Sequence, residues 1–569
     1  MAAERSARSS ARRASPRSGG AASFARVLAP VALVAASTSA AATFWVMRVV
    51  LPAWNTPHTI LEGVVHAPSD TPRQPALARR VTFVVVDGLS FEHARAIEEL
   101  APLRDEGAFR QLVAHYPTYT GPNITAMMTG LSPRESGVRL NGVETGVPGI
   151  DDVAHAAWDA GVFVRVRSRT YAEFDALARA PRQADVKRGR LQVVFDWEVD
   201  RARPTPTARP GTATLLELIY FGDVDEAGHR EGARSERYAK AARDAGHYVQ
   251  RVMRELDPAE DLLFVASDHA HRTAGGHGGA EPDVDDAFFA AWGRGVRRGV
   301  ELPARPMRDV ASTITVALGA RTPSSNLGAP MLDVFDLDEA RAAELAAEPF
   351  DQASRFGCTV HPTASCADVE AARAALHRGA GAADAIALLG TLAVQRDAGA
   401  SDREADDALK RAAAGTSVGA LFLALSQAGG FARPRSRSGY LAPLLLAVTY
   451  AATLFALGYR PTLSTMRQTE DFMIDAGKAA GVALAIMLFA AWRLRWGVRD
   501  ALFTSLAAFA AMIPFWSMVG ASPSALGPPV ASALVFMVSP MVLAAGLAAI
   551  GIALIATARP PRASAGHGR

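Results

Sequence analysis

The run VTFVVVDG, from Val81 to Gly88, is β-branched or aromatic for six residues and then stops at Asp-Gly. A β-branched and aromatic run without polar alternation is what a strand covered on both faces requires, and the Asp-Gly pair ends it in a loop. Working outward, the same alternation recurs. A helix is expected over Phe91 to Leu103, a helix near Ile150 to Ala160 with a strand at Val162 to Val166, and a strand at Leu215 to Phe221. A helix over Arg234 to Leu256 and a strand at Leu262 to Ala266 come next. Strands alternating with helices predict an α/β fold built on a mostly parallel, doubly wound sheet. In such sheets ligands bind beyond the carboxyl ends of the strands.

This pattern occupies residues 55 to 335. Residues 336 to 412 are Ala-rich and charged, and read as helices connecting that domain to an apolar C-terminal region. The whole chain of 569 residues carries a net charge of +3. No basic stripe interleaved with aromatics occurs, so nucleic acid is excluded as a partner. Cations are almost all Arg and Ala is abundant, a composition that points to a bacterial source. Cys358 and Cys366 are the 2 cysteines. A zinc pair would sit closer and need two more ligands nearby, so a local disulfide is the better reading.

The ends of the chain are lipid-soluble. A basic tail over residues 1 to 26 precedes the uncharged stretch Val27 to Met47, and an anchor is expected over 27 to 51. A cleavable signal peptide ending near Ser37 to Ala42 competes with it, but apolarity continues through Phe44, Trp45 and Val46. Residues 414 to 557 hold spans at Leu441 to Tyr459, Phe472 to Trp492, Ala501 to Gly520 and Val530 to Thr557, plus a weaker one at Thr416 to Ala432. Counting the weaker one puts the Arg groups at 433 to 437, 493 to 499 and in the tail over 558 to 569 on the side of the basic N-terminus. Six crossings then obey the positive-inside rule, with residues 55 to 335 outside the cytoplasm, in a bacterial inner membrane.

Four motifs carry the chemistry: VVVDG at Val84 to Gly88, PTYTGPN at Pro117 to Asn123, FGDVDEAGH at Phe221 to His229, and SDHAHRTAGGHGG at Ser267 to Gly279. Three directly follow an expected strand. Together they offer a strand-terminal carboxylate, a hydroxyl in a tight loop, an Asp and a His four apart, an adjacent Asp-His pair, and a His between glycines. Oxygen and imidazole donors of this kind suit zinc or manganese.

In this order and spacing the motifs resemble the alkaline phosphatase superfamily. Within it they are similar to the type I phosphodiesterase and nucleotide pyrophosphatase branch that also contains the GPI ethanolamine phosphate transferases. The likeness spans Val81 to Gly279 and implies an alkaline phosphatase-like sheet with two divalent metal ions, Zn2+ or alternatively Mn2+. It implies Asp87, Thr120, Asp268 and His269 as ligands of one ion, and Asp225, His229 and His277 as ligands of the other. Thr120, directly before the x-Pro-Asn, is the implied nucleophile, while Thr118 is structural. Asn141 falls where relatives hydrogen-bond a phosphoryl oxygen. Asp223 reads as a turn residue. His271 departs from the family's SDHGM and reads as a surface imidazole or one behind the ligands.

The resemblance implies a phosphodiesterase or phosphoryl-transfer enzyme working through a phosphothreonine-type intermediate. A sulfatase is disfavoured, because Thr120-Gly-Pro-Asn-Ile lacks both the oxidised residue and the Arg of that branch. A membrane anchor suggests a phosphodiester substrate borne on a lipid or an envelope glycan. Two alternatives stand beside this reading: a phosphoethanolamine headgroup transferase, and a membrane scaffold without turnover.

Overall fold

The computed structural model describes residues 19–50, 52, 70–141, 150, 152–168, 191–195, 214–360, 362–520 and 529–559. The basic tails therefore lie largely outside the described residues. So does most of Arg167 to Pro210. Eight strands form one sheet: β1 (Arg80–Val86), β2 (Ala108–Val113), β3 (Phe163–Ser168), β4 (Leu191–Phe195), β5 (Leu215–Phe221), β6 (Asp261–Ala266), β7 (Asp286–Gly293) and β8 (Val300–Pro306). Their order is β4-β3-β5-β1-β6-β7-β2-β8. β7 runs antiparallel to both of its neighbours, and every other pairing is parallel.

Alternation along the central strand explains why its sequence is almost continuously apolar. Val81, Phe83 and Val85 pack into the core on one face, while Val84 and Val86 pack into a separate core on the other. Successive side chains of a strand point to opposite faces, so a strand buried on both sides favours apolar residues at nearly every position, with Thr82 the exception here. Because β5, β1 and β6 are neighbours running the same way, the loops leaving their carboxyl ends meet at one edge of the sheet. Those loops carry Asp225, Asp87 and Asp268.

The expected helix over Phe91 to Leu103 is two short helices, Phe91–Ala96 and Ala101–Glu106, with Ile97 extended between them. A 3-10 turn, Glu98–Leu100, precedes the second helix, whose first turn holds Pro102, where a missing N–H costs nothing. Beyond the sheet, the helices Glu339–Val360 and Val369–His377 form their own small core with the start of Ala382–Ala428. Cys358 and Cys366 are joined by a disulfide. The helix Ala382–Ala428 runs without interruption from the charged connector into the weakest of the expected spans.

Among the described residues, six helices are long and apolar enough to cross a membrane: Ala25–Val50, Ala382–Ala428, Arg437–Ala456, Glu470–Leu494, Val498–Met518 and Ala533–Ala558. The last is broken where Pro540 follows Ser539, giving Pro529–Val538 and Pro540–Ala558. At one end of this bundle Arg26, Arg435, Arg495, Arg499 and Arg559 line a common recess. The catalytic part meets the bundle at other residues: Tyr116, Tyr119 and Leu140 pack against its apolar core.

Candidate active site

Each of the four motifs begins where the sheet releases the chain. Asp87 follows β1, and the helix Asp223–Glu231 after β5 puts Asp225 and His229 one turn apart on the same face. Asp268 and His269 follow β6, with Asp268 Oδ1 accepting the backbone N–H groups of Gly88 (3.1 Å) and His269 (3.1 Å). Thr120 opens the helix Thr120–Thr129. The loop before that helix is stitched by Asn123. Its Oδ1 accepts from His115 N (2.7 Å), and its Nδ2 donates to the carbonyls of His115 (3.1 Å), Pro117 (3.2 Å) and Tyr119 (3.0 Å).

These loops bring the seven expected ligands into one cluster with two lobes. In the first, Thr120 Oγ1 lies 3.3 Å from Asp87 Oδ2 and 3.3 Å from His269 Nε2, and His269 Nε2 lies 3.1 Å from Asp87 Oδ1 and 3.4 Å from Asp268 Oδ2. In the second, Asp225 Oδ1 lies 3.4 Å from His229 Nε2 and 3.3 Å from His277 Nε2, and the two imidazole nitrogens are 2.9 Å apart. His269 Nε2, 3.9 Å from Asp225 Oδ1, joins the lobes. Asn141 stands at the exposed rim. Its Oδ1 accepts from Gly121 N at 2.8 Å, which leaves its amide N–H groups to donate elsewhere.

His271 is not at the surface. It is 2% exposed, and its Nε2 lies 2.9 Å from Asp225 Oδ1. The glycine of the Asp-Glu-Ala-Gly-His stretch makes room for it: a Cβ on Gly228 would fall 2.3 Å from His271 Cδ2. Asp225, His269, His271 and His277 offer donor atoms all within 4.8 Å of one another, as do Asp87, Asp268 and His269. Sequence reasoning also missed Tyr220, whose hydroxyl donates to Asp87 Oδ2. A tyrosine near the end of an apolar strand carries no signal that separates this role from core packing.

The donor set fits divalent cations. His277 Nδ1 is engaged by the Thr118 carbonyl (2.7 Å) and His269 Nδ1 by the Ala270 carbonyl (3.3 Å), so each imidazole turns an Nε2 lone pair toward the carboxylates. Asp87 Oδ1 and Asp268 Oδ2 are buried without a hydrogen-bond partner, an expensive arrangement unless a cation answers it. Burial, then the neighbouring Asp87, push the Asp268 carboxyl well above the usual range. Burial opposes ionisation of Asp225 too, but it is outweighed, chiefly through the hydrogen bond with His271, and that carboxyl is held well below the usual range. Burial lowers the His229 imidazole, and lowers His271 to about 4, so both are neutral near pH 7.

A threonine hydroxyl at a helix start facing such a cluster is an arrangement suited to phosphoryl transfer. Residues 81–278 match the model of the type I phosphodiesterase / nucleotide pyrophosphatase family. The chain is 30% identical over 134 residues to the human GPI ethanolamine phosphate transferase 3, catalytic subunit; the match takes in 23% of this chain and 12% of the relative. Solved structures similar to it include an inactive variant of murine ectonucleotide pyrophosphatase/phosphodiesterase 5 in complex with AMP, at 12% identity and TM-score 0.33, covering 43% of this chain and 96% of that one. Another is a phosphonate monoester hydrolase from Silicibacter pomeroyi, at 16% identity and TM-score 0.34, covering 47% and 78%.

Proposed function

We propose that this chain is a membrane-anchored phosphodiesterase or phosphoryl-transfer enzyme that uses two divalent metal ions outside the cytoplasm, with Thr120 as nucleophile. The observation that carries the reading is the place of Thr120 Oγ1, 3.3 Å from both Asp87 Oδ2 and His269 Nε2 at the edge of the cluster. Asp87, Thr120, Asp268 and His269 would hold one ion, and Asp225, His229 and His277 the other. Zinc or manganese bound there would supply charge neutralisation and a lowered hydroxyl pKa.

Thr120 donates its proton toward Asp87 Oδ2 as its oxygen forms a bond to phosphorus and the ester P–O bond breaks. The amide of Asn141 is free to donate to a phosphoryl oxygen, and the N-terminal end of the helix Thr120–Thr129 favours the negative charge there. An acceptor oxygen then bonds to phosphorus and releases Thr120. Water as acceptor gives a hydrolase, and an alcohol gives a transferase. Likeness to an ethanolamine phosphate transferase favours a phosphoethanolamine-type headgroup on a lipid or glycan as the second reading. The gathering of Arg26, Arg435, Arg495, Arg499 and Arg559 at one end of six apolar helices supports an orientation with that end in the cytoplasm.

The test is Thr120→Ala in the full chain, purified in detergent and loaded with zinc, assayed on a chromogenic phosphodiester with and without an added alcohol. The proposal expects folded, metal-loaded protein whose turnover falls by about 10³-fold or more. Undiminished turnover in the variant would overturn it. Release in the parent chain that is slow in water and accelerated by the alcohol selects the transferase.

A further inference from the structure

The reaction centre is flanked by two loops, Pro117 to Thr120 and Gly276 to Gly279, and Thr118 ties them together. Thr118 Oγ1 donates to Gly279 O (2.9 Å) and accepts from Gly278 N (2.8 Å), while the Thr118 carbonyl engages His277 Nδ1 (2.7 Å). The second loop has little hold of its own. Gly275, Gly276 and Gly278 have φ of 88°, 85° and 106°, conformations that glycine adopts freely, and none contributes a side chain.

A turn from the apolar helical bundle closes on this loop. Leu463–Thr465 lies between the helices Ala442–Ala456 and Thr469–Leu494. Ser464 is fully buried; its Oγ accepts from Gly279 N (2.8 Å) and donates to Glu281 Oε2 (2.7 Å). The backbones touch as well. A Cβ on Gly276 would fall 2.2 Å from Ser464 O, and one on Gly279 would fall 2.4 Å from Thr462 Oγ1. The nucleophile loop contributes Tyr116 and Tyr119 to the same contact, packed on the core of the bundle.

We infer that Ser464, although it belongs to the helical bundle, is a positioning residue of the reaction centre. It fixes Gly279 and Glu281, and through Thr118 and the His277 backbone it sets His277 Nε2 against Asp225 and His229. This rests on the metal reading above. Without the Ser464 hydroxyl, a buried N–H and a carboxylate lose their shared partner, and a glycine-rich loop loses a side-chain tether to the bundle. His277 is then free to drift from its lobe, whereas Asp87, Asp268 and His269, held by β1 and β6, are not.

The experiment is a zinc titration against a competing chelator on the full chain in detergent, comparing the parent with Ser464→Ala, Ser464→Thr and Glu281→Gln. Ser464→Ala is expected to weaken one zinc equivalent by about tenfold and leave the other unchanged, as loss of a residue supporting a ligand does. Ser464→Thr, which keeps a hydroxyl, should restore it. Glu281→Gln, which keeps the shape, should weaken the same equivalent and carries the test where Ser464→Ala lowers the yield of folded chain. Two equivalents at parental affinity in both Ser464→Ala and Glu281→Gln, or equal weakening of both equivalents, would overturn the inference. A parent chain that binds no zinc would instead overturn the metal reading beneath it.

Discussion

Asp87 and Asp268 bring carboxylate oxygens within 4.8 Å of each other inside the protein, and that proximity sets what the metal-free site can tolerate. Like charges so placed disfavour one another, and the raised Asp268 carboxyl is the result. A carboxyl raised on folding binds more protons in the folded state, so its contribution to stability is present at low pH and lost as pH rises from about 4 through the folded value. In the chelator-treated chain, Asp268→Asn should therefore raise the melting temperature more at pH 7 than at pH 4. An equal effect at both would deny the repulsion. His271 was legible as an oddity but not as a participant, because one histidine off the family pattern looks the same whether it is exposed or buried. Its 2.9 Å approach to Asp225 predicts that His271→Ala lowers zinc affinity by about tenfold, read by chelator competition. Thr120, Asp225 and His229 were readable because their spacings are local. Tyr220 and Ser464 were not, since their partners come from distant parts of the sequence.

At the level of elements, β1, β5 and β6 announced themselves because strands buried on both faces are mostly apolar, even with Thr82 in β1 and the buried Glu217 in β5. The strands on the far side of the sheet did not. β2 carries Arg110 and Gln111, and Arg110 is fully buried only because Asp333 stands 2.6 Å from it. β7 reads DAFFAAWG, whose alanines suit a helix as well, and β8 carries two prolines at an edge where fewer backbone donors are needed. Pairing across the sheet overrode local preference in each case. The disulfide between Cys358 and Cys366 clips the end of the helix Glu339–Val360 to the following turn. Closing so short a loop is worth about 2–3 kcal/mol, so reduction should lower the melting temperature of the connector helices without changing diester turnover, a pair of readings that calorimetry and assay supply together.

For the molecule as a whole, the described residues form an α/β part and an apolar helical part, and six helices among them are long and apolar enough to cross a membrane. What composition could not convey is how closely the parts are joined. The last helix of the connector continues unbroken into the weakest span, and a turn between two apolar helices packs against the loop that carries His277. The central claim is that the carboxylate and imidazole cluster works as a two-metal phosphoryl-transfer site. Its most direct test is zinc content measured against turnover, as the chelator-dialysed full chain is titrated with zinc. A two-metal site predicts negligible activity without metal, two equivalents bound per chain at saturation, and full activity only as the second equivalent fills. Undiminished diester turnover in chain stripped of metal would contradict it.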